Sequence, residues 1–189
     1  MLLTYYIASM NIEHEYFEKI GRYEPFEGIY LVDTFEMAEQ NQSALSLMTE
    51  ENTSRIERQK KSPITVVIGN PPYNVGQLNE NDNNKNRKYK VMDSRVAETY
   101  AKDSKATNKN ALSDPYVKAI RWGTDRIKDD GIVALVTNGS FIDSIAFDGM
   151  RANLERDFDA IYVLDLGGDV RRNPKLSGTT HNVFGFRLE

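Results

Sequence analysis

The chain has 189 residues, 40% of them hydrophobic and 28% charged, with a formal net charge of −4. That composition describes an ordinary globular domain with a core, and it excludes the disordered class. No apolar run approaches the ~20 residues needed to span a bilayer, so no membrane is expected. Met1-Leu2-Leu3 does not lead into a signal-peptide core, which makes the cytoplasm the expected location. With no cysteine and only His14 and His181, the chain has no disulfide framework, thiolate zinc site or cysteine nucleophile, and no metal is expected. A pI near 5.4 argues against binding nucleic acid through bulk charge, while leaving room for a base-specific pocket.

In chain order, Leu2 to about Glu18 carries apolar residues at helical spacing and predicts an amphipathic helix. Gly21 and Pro25 punctuate the turn that follows. Gly28-Ile29-Tyr30-Leu31-Val32-Asp33-Thr34 predicts a short strand ending in a carboxylate, and a strand-end Asp33 is a candidate ligand contact. Its alternative is a capping role through Thr34 and Phe35. From Phe35 to Lys61 the chain is polar, with a weak helix over Ser43 to Met48 and a solvated, mixed-charge one over Thr53 to Lys61.

Ile64-Thr65-Val66-Val67-Ile68-Gly69-Asn70-Pro71-Pro72-Tyr73 is the most informative stretch. Its β-branched run has the habit of a parallel strand buried on both faces. Two prolines then end the ladder, because each lacks an N–H and holds the preceding residue extended. The product is a stiff ledge at the carboxyl end of a strand, where open α/β sheets bind ligands. Asn70 offers an amide acceptor and donor, and the carbonyls of Asn70 and Pro71 have no following N–H competing for them. Tyr73 adds a flat π-face. Such a group suits an amino-bearing base presented edge-on; the plainer alternative is a turn that merely ends a strand.

Residues 74–111 are polar and predict a mobile insert or lid. Within it Lys85, Arg87, Lys88 and Lys90 surround Tyr89 in a basic patch suited to phosphate, and part of Ser94 to Ala101 is a candidate helix. Ser113 is a candidate N-cap, with Asp114 and Pro115 in the first turn of a helix running to about Lys128. Ile132 to Thr137 predicts a second buried strand leading to Asn138-Gly139-Ser140-Phe141. A helix over about Asp148 to Glu155 and a third strand over Ala160 to Leu166 follow. Asn182 to Leu188 alternates as a last strand. Strands alternating with helices predict an α/β doubly wound sheet, mostly parallel, in one domain over 1–189.

Asn70-Pro71-Pro72-Tyr73 resembles the catalytic motif of the N6-adenine DNA methyltransferases. Together with Arg55 to Lys61 and Asn74-Val75-Gly76-Gln77, it resembles more narrowly the methyltransferase region of long, single-chain, ATP-dependent (type ISP-like) restriction-modification enzymes. The resemblance implies a Rossmann-like fold, S-adenosylmethionine as cofactor, double-stranded DNA as partner, and methyl transfer to an adenine flipped out of the duplex. It implies catalytic roles for Asn70, Pro71, Pro72 and Tyr73, and a cofactor contact for Asp33. Phe141, Phe184 and Lys88 are substrate-side candidates, with plain strand core as the rival reading of Phe184.

The 189 residues contain no Gly-x-Gly, the glycine-rich turn that such enzymes use for the cofactor. The sheet is therefore expected to be incomplete at its N-terminal, cofactor-binding half. The chain is then expected to be part of a longer polypeptide and inactive when isolated. Rival expectations are an amino-methyltransferase for cytosine N4, RNA or protein, and a non-catalytic remnant serving as a DNA-binding or assembly module.

Overall fold

The computed structural model describes residues 2–39, 50–72 and 88–165. Helix α1 (Leu2–Ile20) opens the chain. A 3-10 turn (Glu36–Ala38), α2 (Glu50–Lys61), β1 (Val66–Gly69) and α3 (Lys90–Val96) follow. The last of these continues as a π-helical turn over Ala97–Ala101. Beyond a 3-10 turn at Asn110–Ser113 come α4 (Pro115–Arg126), β2 (Ile132–Leu135), α5 (Ser140–Asp143), a 3-10 turn at Ile145–Phe147 and α6 (Asp148–Asp157). No helix of the described residues is long and apolar enough to cross a membrane.

β1 and β2 pair in parallel, with Val66 opposite Ile132 and Gly69 opposite Leu135. Thr65 and Gly69 extend the pairing, their carbonyls accepting from Ile132 N (2.8 Å) and Val136 N (3.0 Å). α4 covers one face of this pair. Gly123 makes the approach possible: a Cβ there would meet Val133 Cγ1 at 3.2 Å and Val67 Cγ1 at 3.4 Å. The other face is open, with Ile68 79% exposed and Val66 and Ile132 more than half exposed. The expectation of a strand buried on both faces is thus corrected: among the described residues one face has its helix and the other has none.

The main core lies beside the sheet, where Val96, Tyr100, Leu112, Tyr116, Val117, Ile120, Phe147, Met150 and Leu154 are buried together. A smaller cluster joins Phe35, Tyr89 and Met92, backed by Ala38, Ala119 and Trp122. An ion-pair chain ties the helices around the core. Arg95 donates twice to Asp125 (2.8 and 2.7 Å), and the buried Arg121 donates to both Asp125 and Asp157 (2.7 Å each). Arg121 also lies 5.5 Å over the Tyr100 ring, a cation–π contact in a desolvated setting.

Several expectations change. Gly28 to Thr34 is irregular instead of a strand. Its backbone needs are met by a side chain: Asn52 Oδ1 accepts from Leu31 N and Asn52 Nδ2 donates to Leu31 O, both at 3.1 Å. One amide therefore does at Leu31 what a neighbouring strand would have done. Residues 160–165, expected to open a third strand, are likewise irregular, and Tyr162 and Leu164 are 94% and 83% exposed. A strand needs a neighbour for its N–H and C=O groups, and no described residue supplies one in a ladder there.

At α4 the cap is Asp114, whose Oδ1 accepts from Tyr116 N (3.3 Å), while Ser113 belongs to the preceding turn and bonds Asn110 O. Pro115 explains the shift, since its fixed φ suits the first helical position and makes the residue before it the cap. Within the stretch read from sequence as an insert or lid, the candidate helix in Ser94 to Ala101 is present and starts earlier, as α3 and its π-helical extension, with Tyr89, Met92, Val96 and Tyr100 buried. Residues 73–87, the 43–48 helix and the last strand lie outside the described residues.

Candidate functional site

Parallel pairing brings the carboxyl ends of β1 and β2 to one rim. On the β1 side the chain leaves Gly69 into Asn70, which is exposed, then Pro71, half-buried, and Pro72, exposed. All described peptide bonds here are trans. The exposed Asn70 amide makes no hydrogen bond to a described residue. Tyr73, the fourth residue of the motif, lies outside the described residues.

On the β2 side Asn138 Oδ1 accepts from Ser140 N (3.0 Å), an Asx turn that starts α5. This carries Phe141 back against the core, half-buried, with its ring 6.4 Å from that of Tyr116. Arg151 Nη1 fastens the turn, donating to the carbonyls of Phe141 and Ser144 (2.9 Å each). Much of the Phe141 ring is thus committed to packing against the core.

Asp33 ends the irregular segment. Its Oδ1 accepts from Phe35 N (3.0 Å), and its Oδ2 accepts from Tyr89 Oη (2.7 Å). The capping alternative is therefore realised in part, as an Asx turn into Glu36–Ala38. The residue is half-buried rather than sealed, and this donor-accepting chemistry fits the amino or hydroxyl groups of a nucleoside. Lys88 is exposed, one position before Tyr89. Phe184 lies outside the described residues. Among the described residues, no group of three or more His, Asp or Glu side chains could hold a metal ion.

Three residues make contacts around the site that the sequence did not foretell, although Tyr89 itself was read as part of the basic patch. Tyr89 reaches Asp33. Glu39 Oε1 accepts from Val91 N (2.8 Å), satisfying an orphan donor in the first turn of α3. Arg126 Nη2 donates to the carbonyls of Gln59 (2.7 Å) and Ser62 (2.9 Å), and more weakly to Lys60, closing the end of α2 just before β1 begins. Each contact joins residues far apart in the chain, and no local pattern announces it.

Parallel strands linked through a helical crossover and ending on an Asn-Pro-Pro ledge make this an α/β arrangement. The chain belongs to the Eco57I restriction-modification methylase family, whose model matches residues 2–170. No curated protein sequence matches. Among solved structures, a cryo-EM structure of a DrdV–DNA complex is similar at 50% identity and a TM-score of 0.82, over 90% of this chain and 16% of that one. A nuclease-deletion mutant of the Type ISP restriction-modification enzyme LlaGI, in complex with a DNA substrate mimic, is similar at 45% identity and a TM-score of 0.83. That match covers 90% of this chain and 14% of LlaGI. The ATP-dependent Type ISP restriction-modification enzyme LlaBIII bound to DNA gives 45% identity and a TM-score of 0.80 over 90% of this chain and 11% of its own. The chain therefore spans less than a fifth of the length of these relatives.

Proposed function

We propose that these residues form part of the catalytic domain of a DNA adenine-N6 methyltransferase within a restriction-modification enzyme of the Type ISP kind. One observation carries the reading: Asn70-Pro71-Pro72 stands exposed at the carboxyl end of a parallel strand, next to the loop that leaves its neighbour. In this reading the domain is a Rossmann-like, doubly wound sheet of which these residues supply the half that holds the base. Double-stranded DNA is the substrate in this reading, which is supported by similar structures that hold DNA (DrdV, LlaBIII) or a DNA substrate mimic (LlaGI).

Asn70 Oδ1 and the Pro71 carbonyl accept the two hydrogens of the adenine N6 amino group. That grip would turn the nitrogen lone pair away from the ring plane, available for attack. Tyr73 stacks on the extruded base, an interaction worth roughly 1–3 kcal/mol in base-binding proteins. Lys88 contacts a phosphate, and Phe141 and Phe184 wall the pocket. S-adenosylmethionine would supply the methyl group, leaving as S-adenosylhomocysteine while the amino nitrogen gives up a proton, and Asp33 would accept a hydrogen bond from the cofactor's adenosine end. Rate then comes from holding the amino group in line and from acceptors aimed at the charge that develops on N6, with no covalent enzyme intermediate.

Absence of Gly-x-Gly from the 189 residues and the open sheet face both support a further reading, that the chain by itself binds the cofactor poorly. Calorimetric titration of the purified chain with S-adenosylmethionine checks it; saturable micromolar binding contradicts it. The catalytic reading is tested in the full polypeptide that carries these residues. Asn70→Ala is expected to lower the methylation rate about 100-fold or more, by analogy with removing one preorganised catalytic hydrogen bond, while DNA affinity is retained. Intact methylation by that variant would sink the assignment. Nucleoside analysis of the methylated DNA separates N6-methyladenine from N4-methylcytosine and so decides between adenine and cytosine as the target.

A further inference from the structure

We infer that Tyr89 is a positioning residue for the Asp33 carboxylate, fixing its direction from the far side of the segment that follows the Asn-Pro-Pro ledge; the inference rests on the cofactor role proposed for Asp33. The need arises from the fold itself. Asp33 ends an irregular segment, so no strand ladder holds its backbone, and a carboxylate on such a segment samples several rotamers unless another element restrains it.

Tyr89 supplies that restraint. Its Oη donates to Asp33 Oδ2 at 2.7 Å, and its side chain is buried, with the residue only 6% exposed. The ring is held on several sides. Phe35 packs edge-on against it, with centroids 5.2 Å apart and planes at 71°. Lys118 Nζ lies 5.5 Å from its centroid. The backbone is anchored as well: Tyr89 N donates to Asp93 Oδ2 (3.1 Å), and Asp93 pairs with Lys118 (2.6 Å). Two positions further on, Val91 N donates to Glu39. The 33–39 segment is thus seated on residues 89–91 by two carboxylates.

An Asx turn alone would need only Oδ1 and Phe35 N. The second bond does something the turn does not require: it sets the rotation of the carboxylate plane. Tyr89 acts through Asp33 and is not itself placed against the cofactor.

Tyr89→Phe tests this, because it deletes one oxygen and keeps the ring among Phe35, Met92 and Lys118. In the full polypeptide, calorimetry with S-adenosylmethionine should show Kd raised about 10-fold, the scale of one lost hydrogen bond to a charged group. The rate at saturating cofactor, the DNA affinity and the cooperative melt of the unliganded protein should be retained. Asp33→Asn measured in parallel should also weaken cofactor binding. The double variant should bind no worse than Asp33→Asn, since the two residues act as one unit. Normal cofactor binding by Tyr89→Phe, with weakened binding by Asp33→Asn, overturns the role of Tyr89 alone. Normal binding by Asp33→Asn overturns the Asp33 reading itself. An absence of saturable binding by the unaltered polypeptide overturns both. Loss of the cooperative melt in Tyr89→Phe makes Tyr89 a core residue first and overturns the inference.

Discussion

Gly149 lies directly against the backbone of Tyr100. A Cβ at 149 would stand inside van der Waals contact with the Tyr100 carbonyl oxygen and only 2.5 Å from Ser104 N. Both neighbours are main-chain atoms of the π-helical turn and its continuation, so neither can swing aside. Gly149→Ala should therefore force α6 off the core and cost about 1–3 kcal/mol or more, despite alanine's better helix propensity. Chemical denaturation of the purified chain measures it; an unchanged midpoint would show that α6 is not docked this way.

Acid should unfold the chain through three aspartates. Asp103 is held below the ordinary aspartate range chiefly by its hydrogen bond from Arg156, and Asp148 chiefly by that from Ser104. Burial pushes Asp125 up, but hydrogen bonds and charge from Arg95 and Arg121 outweigh it, and the net displacement is also downward. Carboxyls with lowered folded values give stability that is complete above their unfolded pKa, near about 4, and is lost as pH falls through the folded values. Urea midpoints should be level from about pH 7 to 5 and then drop steadily below about 4. Asp125→Asn should lower the plateau and flatten the drop, whereas a midpoint that rises on acidification would refute the assignment.

Arg126→Ala should loosen the entry to β1. It removes two close charge-assisted bonds to the carbonyls of Gln59 and Ser62, worth together about 1.5–3 kcal/mol after solvent replaces them. Amide exchange offers the sharper readout: protection at Ile132, whose N–H bonds Thr65 just beyond the clamp, should fall more than protection at Val117 in the core. Equal losses at both sites would mean that Arg126 stabilises the fold generally.

Ile68→Thr should behave unlike a core substitution. Ile68 is 79% exposed on the open sheet face, so its replacement should change stability by less than about 0.5 kcal/mol. It should also reduce self-association of the isolated chain in light scattering, because Val66, Ile68 and Ile132 form an apolar strip with nothing described over it. A loss of about 2 kcal/mol or more, the scale for removing a buried aliphatic side chain, would show that the face is covered in solution.

Much of this structure was readable in advance for reasons local to the chain. α1, α4, α6 and the strands at Val66 and Ile132 follow from apolar spacing and from Pro115 and Gly131 as punctuation. The ledge at Asn70 follows from two prolines ending a β-branched run. What was not readable depends on partners distant in sequence. Gly28 to Thr34 has a strand's composition, and only the Asn52 amide at Leu31 explains why it needs no ladder. The polarity of residues 88–111 suggested a loop because its buried members, Tyr89, Met92, Val96 and Tyr100, are spaced among charges that pair elsewhere, Arg95 with Asp125 and Asp93 with Lys118. Ile161 to Leu164 reads as a strand by composition, yet composition does not supply a neighbour.

The parallel pairing of Val66 with Ile132 also sets an order of events. A hairpin strand meets its partner after a few residues, but β1 must wait until the whole crossover through α3 and α4 has been made and compacted. Asn70 leaves the ribosome before β2 does and acquires its rigid setting only afterwards. During synthesis the ledge is a flexible tail on an unmatched strand, and it becomes a fixed rim only when Gly69 receives the Val136 N–H.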